Sequence, residues 1–137
     1  MNDPLLDLPG YALRRAAGAM MAEFSRRLEP LGLRYADVSA LLLIGANPTL
    51  TASQLGRMLD IQRANMVPLL GRLTDAGLIT RRPLDGKSHS LHLTDAGEVK
   101  LAEARRVIEQ FESWLIARIP PAHRDHLKPA LDALWRD

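Results

Sequence analysis

Residues 59–97 read Leu59-Asp60-Ile61-Gln62-Arg63-Ala64-Asn65-Met66-Val67-Pro68-Leu69-Leu70-Gly71-Arg72-Leu73-Thr74-Asp75-Ala76-Gly77-Leu78-Ile79-Thr80-Arg81-Arg82, then Pro83-Leu84-Asp85-Gly86-Lys87-Ser88-His89-Ser90-Leu91-His92-Leu93-Thr94-Asp95-Ala96-Gly97. Met66, Leu69, Leu70 and Leu73 stand at i, i+3, i+4 and i+7, the spacing of an apolar stripe on a helix of about Gln62 to Ala76. Gly77 supplies the left-handed residue that stops such a helix. Leu78–Arg82 and His89–Leu93 read as two short strands around an Asp85-Gly86 turn, and Thr94 opens a new helix. Upstream, Thr51-Ala52-Ser53-Gln54 has the capping-box pattern, so a shorter helix begins there and places Leu55 and Leu59 inward, with Met58 a further core candidate. Helix, turn, helix and two-stranded wing, in that order, is an architecture that reads double-stranded DNA.

Working outward, Tyr11–Leu31 is amphipathic, with Leu13, Ala16, Ala17, Met20, Met21, Phe24 and Leu28 at spacings of three and four before Pro30 and Gly32. Tyr35–Ala46 is apolar nearly all round and predicts a central helix ended by Asn47-Pro48. A long helix from Thr94 to about Arg118 carries Val107, Ile108, Phe111, Leu115 and Ile119 on its later apolar face. Pro120-Pro121 breaks it, and a last helix covers about Ala122 to Trp135. The expectation is a mainly α fold of about six helices with a small β-hairpin wing of two to three short strands.

A chain of 137 residues is one domain by length, and 47% hydrophobic with 25% charged residues is an ordinary globular composition. The absence of cysteine excludes disulfides, thiolate metal sites and thiol redox sensing. The longest apolar run, Val38–Ala46, is too short to span a membrane, and the acidic, proline-broken start is unlike a secretory leader. A cytoplasmic location is expected. Net charge is only +2, but Thr51–Thr94 holds six basic residues (Arg57, Arg63, Arg72, Arg81, Arg82, Lys87) against Asp60, Asp75 and Asp85. That excess has the right sign for phosphates.

The stripe on the second helix of the unit leaves Gln62, Arg63, Ala64, Asn65, Val67, Pro68 and Arg72 mostly on the opposite side. Gln and Asn can pair with adenine and Arg with guanine or phosphate, while Ala64 and Val67 are small enough for contact with a thymine methyl. Pro68 removes a helical hydrogen bond to residue 64 and predicts a bend. Lys87 at the hairpin tip suits phosphates or the minor groove, and Arg81 and Arg82 at its base are placed to clamp the backbone.

These features resemble the MarR family of winged-helix transcriptional regulators. The resemblance rests on Gly32-Leu33, Leu41-Leu42, Leu55 to Leu59, and Leu73 with Ala76-Gly77-Leu78-Ile79, followed by Arg81, Asp85 and Leu93-Thr94-Asp95-Ala96-Gly97. It implies a homodimer, a DNA-binding lobe at residues 35–94, and a dimerisation body made from residues 9–31 and 95–136. It places Gln62, Arg63 and Asn65 at the bases and Lys87 where the family's wing arginine enters the minor groove. The wing differs in holding Lys87 instead of that arginine, and in being about two residues shorter between Arg81 and Asp85. The resemblance also implies a small-molecule effector, for which Tyr11, Met20, Met21, Phe24 and Trp114 are pocket candidates, although their helical spacing reads more simply as core.

Two rival readings follow from the residues. An enzyme would need a nucleophile–base pair, paired carboxylates or a metal. The only histidine pairs are His89 with His92 and His123 with His126; no carboxylate stands in register beside His123, and no glycine-rich phosphate loop occurs. No catalysis, cofactor or metal is therefore expected. The second rival is a winged helix used for protein contact without specific DNA binding.

Overall fold

The computed structural model describes residues 1–137. Six α-helices and one hairpin follow in the order α1 (Pro9–Leu28), α2 (Tyr35–Ala46), α3 (Ala52–Leu59), α4 (Arg63–Asp75), β1 (Ile79–Asp85), β2 (Ser88–Leu93), α5 (Asp95–Arg118) and α6 (Arg124–Asp132). No helix is long and apolar enough to cross a membrane.

α2 is the hub of the lobe. Its Val38, Ala40, Leu41 and Ile44 are all buried, as its near-continuous apolar sequence predicts. α3 begins with the expected reciprocal cap: Gln54 N–H donates to Thr51 Oγ1 at 3.2 Å, and Thr51 N–H donates to Gln54 Oε1 at 2.9 Å. It ends at Asp60, the one non-glycine residue with positive φ (53°), where Ile61 N–H turns back to the Gly56 carbonyl at 2.9 Å. Gly56 is the close approach of α3 to α4, since a Cβ there would lie 3.2 Å from Met66 Cγ. Met66, Leu69, Leu70 and Leu73 then seat α4 in the core as expected. Gly77, at φ +72°, ends that helix and lets Leu78 N–H reach the Leu73 carbonyl at 3.0 Å.

The strands pair antiparallel from Ile79↔Leu93 to Asp85↔Ser88, with an irregularity between Pro83 and Asp85. Each strand is longer than the sequence suggests, and the turn residues are Gly86 and Lys87 rather than Asp85 and Gly86. On the outer side of β2, Leu91 N–H bonds the Leu50 carbonyl at 2.8 Å, tying the loop before α3 to the wing. Ser90 does not face water as simple alternation predicts; it is buried, with Oγ 2.7 Å from His92 Nε2.

The base of the wing is closed by Thr94. Its Oγ1 donates to the Gly77 carbonyl at 2.5 Å and accepts from Gly97 N–H at 3.0 Å, while its own N–H donates to the Leu78 carbonyl at 3.0 Å. Gly97 lies against that same Leu78 carbonyl, and a Cβ on it would overlap the oxygen.

Beyond the lobe, Phe24 of α1 packs at a tilt against Phe111 of α5 with ring centroids 4.7 Å apart, and Tyr35 meets Phe24 edge-on at 5.7 Å. Trp114 continues the stack at 5.8 Å from Phe111. Leu28, Leu101 and Ala104 are buried as well, but other apolar positions of these helices are open. Leu13, Ala16 and Ala17 on α1 are exposed, as are Val99 and Ile116 on α5. α6 buries no residue, and Leu134 and Trp135 beyond it are exposed. The last helix is also shorter than predicted: a 3₁₀ turn, Pro121–His123, precedes α6, which stops at Asp132 with Pro129 inside it. Met58 is 54% exposed rather than core, because α3 turns only Leu55 and Gly56 fully inward.

Gly97→Ala is therefore expected to lower the unfolding free energy by about 2–4 kcal/mol, since backbone cannot yield to the added methyl. Gly71→Ala, with no heavy atom within 4 Å of the added Cβ, should instead be neutral or stabilising by up to about 1 kcal/mol. Urea unfolding of both variants at one fixed protein concentration measures this; equal stabilities would contradict the junction described.

Candidate nucleic-acid interface

Gln62 caps the N-terminus of α4 in extended conformation rather than starting the helix, and Arg63, Ala64 and Asn65 form its first turn. All four are exposed, together with Val67 and Pro68, so the face opposite the leucine stripe is open to solvent. An open cleft of about 760 Å³ runs between α3 and α4. Gln62, Arg63, Val67 and Arg81 line it together, although Arg81 belongs to the wing. Ser53 and Arg57 of α3 line it too. Neither was singled out from sequence; the signal available was their place on the polar side of a capped helix beside the turn. Arg82 and Lys87 extend outward along the hairpin, both exposed.

Arg57, Arg63, Arg81, Arg82 and Lys87 form no salt bridge, so five positive charges stand on this side without a protein partner. Asp60 and Asp75 also line the cleft and partly offset them.

Arg72 differs, and its sequence assignment to DNA contact is corrected here. Its Nη2 donates to Asp37 Oδ1 at 2.9 Å, and its Nε is buried without a partner. Asp37 is only 4% exposed and uses its other oxygen to accept from Arg34 N–H at 2.8 Å, capping α2. On the α4 wheel Arg72 lies on the flank turned to α2, not on the outward face. Its guanidinium neutralises a buried carboxylate, and so ties the C-terminal half of α4 to the start of α2. Asn65 and Ala64 do not line the cleft but lie beside it on the exposed first turn. Of the effector-pocket candidates, Phe24 is core, Met20 and Trp114 pack against that core, and Tyr11 is a surface residue accepting a hydrogen bond from Arg15 at 2.8 Å.

A capped helix, a tight turn, a second helix with an open polar face and a hairpin beside it define a winged helix–turn–helix protein. A MarR-family model matches residues 31–88. A relative in Thauera aromatica, assigned by name to transcriptional regulation of the hcr operon, is 30% identical over 130 residues, covering 93% of this chain and 78% of that one. An HTH-type transcriptional repressor of Mycobacterium tuberculosis is 28% identical over 93% of this chain and 94% of its own. Among solved structures, the transcriptional repressor CouR bound to a 23-mer DNA duplex superposes with a TM-score of 0.90 at 35% identity, covering 96% of this chain and 95% of that one. CouR bound to p-coumaroyl-CoA also gives 0.90, at 33% identity over 100% and 98% of the two chains. The chain belongs to the MarR family of winged-helix transcriptional regulators.

If Arg72 is structural, Arg72→Ala leaves a buried carboxylate unpaired and should cost about 2 kcal/mol of stability, reduced from the fully buried case because the guanidinium is partly hydrated. Arg63→Ala should change stability by less than about 0.5 kcal/mol. Thermal unfolding of the two variants separates the roles; an Arg72→Ala protein as stable as wild type would return Arg72 to the surface set.

Proposed function

We propose that this protein is a ligand-responsive repressor that binds a palindromic operator in double-stranded DNA as a homodimer. The observation that carries the reading is the unpaired, exposed set of Gln62 at the N-cap of α4 and Arg63 and Asn65 on its first turn, flanked by Arg57, Arg81, Arg82 and Lys87. Side chains on that turn reach base edges, with Ala64 and Val67 allowing close approach, while the arginines and Lys87 meet phosphates on either side. Lys87 keeps the charge of a wing arginine without its planar fork, so the wing contributes attraction more than shape recognition.

Residues 35–94 form the reading lobe, and residues 9–31 with 95–136 form the dimerisation body. The bare apolar positions of α1, α5 and the C-terminus, from Leu13 to Trp135, are covered by a second copy of the chain. Two lobes on one body then meet successive major grooves of a two-fold site. The relative CouR binds both a DNA duplex and p-coumaroyl-CoA; for this chain a small organic effector acting against DNA binding is the corresponding reading. Work on DNA goes with a cytoplasmic location, and the role requires no catalysis or cofactor.

A mobility-shift titration on the duplex upstream of the protein's own gene tests this. Wild type should bind it in preference to scrambled DNA and lose affinity steeply as salt rises. Lys87→Ala should weaken binding to all sequences and reduce the salt slope by about one. Arg63→Ala should relax base preference by about 1–3 kcal/mol at one position in each half-site. A protein-contact module would show no sequence preference and no such slope.

Light scattering at micromolar concentration should report a dimer. A monomer would remove the palindromic arrangement.

A further inference from the structure

We propose that the backbone carbonyl of Ala64 reads a base, as an acceptor set free by Pro68 and aimed at an exocyclic amino group in the major groove. This rests on the DNA-reading assignment of α4 and names one more contact within it.

Pro68 lies inside α4, which continues unbroken from Arg63 to Asp75. Proline has no N–H, so the Ala64 carbonyl, four residues earlier, has lost the donor that a helix would give it. In most settings a proline there costs on the order of 3 kcal/mol, and packing offers no offset here because Pro68 is exposed. Ala64, which carries that acceptor, lies on the outward face. Taking the core stripe Met66, Leu69, Leu70 and Leu73 as the back of α4, the residues diametrically opposite are Ala64, Pro68, Gly71 and, at the far end of the helix, Asp75, with Val67 beside them.

That face is also stripped of long side chains. Val67 is 71% exposed, and a Cβ on Gly71 would meet nothing within 4 Å. An arginine or glutamine at any of these positions would hold the α4 backbone away from a base pair; alanine, valine, proline and glycine let it come within hydrogen-bonding reach. Arg63 and Asn65 bracket the carbonyl on the two flanks, so the backbone acceptor would sit between two side-chain donors.

The chemistry restricts what it can read. In the major groove guanine presents N7 and O6 and thymine presents O4, all acceptors that a carbonyl cannot use. Only adenine N6 and cytosine N4 offer N–H groups. The Ala64 carbonyl therefore selects adenine or cytosine at one position of each half-site.

Any non-proline residue at position 68 returns an N–H to the helix and occupies the carbonyl, so Pro68→Ala removes the acceptor while favouring the helix. The probe is the duplex that wild type itself enriches from a random-sequence pool. Each adenine is replaced in turn by purine, which lacks the 6-amino group, and each cytosine by 2-pyrimidinone, which lacks the 4-amino group. Both proteins are titrated on every duplex. Weakened base pairing affects both alike and cancels between them. Wild type should lose about tenfold at one amino group per half-site, where Pro68→Ala loses less than about twofold. Equal losses by both proteins at every base would overturn the proposal. So would a difference spread over several neighbouring bases, which would mark Pro68 as setting the path of the helix instead. If wild type enriches no sequence, the DNA-reading assignment itself falls, and this inference with it.

Discussion

The seam between the end of α4 and the start of α5 holds the rest of the lobe in register. Thr94 bridges Gly77, Leu78 and Gly97 through three hydrogen bonds, closing the wing at its base and starting the long body helix at the same point. A strand pair of six residues a side is marginal alone. Here both its strands leave from fixed points, and Leu91 is tied to Leu50 on the other edge. Gly97 is needed because the helix must pass directly over a carbonyl, and Gly77 because the chain must leave α4 with positive φ. The spaced residues Gly77-Leu78 and Thr94 to Gly97 are thus one structural device read twice along the chain.

The second tie runs through α2. Lys100 of α5 donates to the Leu31 carbonyl at 3.3 Å, just before α2, and Asp37 near the start of α2 holds Arg72 of α4. α4 is therefore held to α2 at its C-terminal half by an ion pair, and at its end by the Thr94 seam. Its first turn, Arg63 to Asn65, is held only through Met66 and the α3 turn at Asp60–Ile61. Rigid at one end and open at the other is the condition for presenting side chains to a groove without losing their register.

Local features of this fold were legible because they depend on neighbours in sequence. The Thr51–Gln54 box, the leucine stripe of α4, the Gly77 stop and the Thr94 cap are each satisfied within a few residues. What sequence could not supply depends on partners far along the chain. Arg72 looked like another exposed cation until Asp37, 35 residues earlier, was found against it. Met58 has the right residue type for a core, but α3 turns Leu55 and Gly56 inward and leaves it on the outer side. Ser90 fits a polar strand position, yet it is buried, with its hydroxyl against His92 of the same strand. The reverse error attends α1, where a broad apolar face predicts burial that a single chain does not provide.

Charge placement explains why composition gave so weak a signal. Apart from Arg72–Asp37, every salt bridge lies in α1, α5 or the C-terminal helix, between neighbours three or four residues apart. Hydrogen bonds from Arg26 and Arg27 hold the Glu23 carboxyl down at about 2, and Lys128 likewise lowers Asp132. Such exposed pairs add little stability, but each neutralises its own two charges at short range. Arg57, Arg63, Arg81, Arg82 and Lys87 have no such partners, and the fold gathers them beside the open face of α4, a grouping that a net charge of +2 does not reveal. The excess of six basic over three acidic residues in Thr51–Thr94 is the trace of that grouping in the sequence; which of the six face the same way is set by the fold.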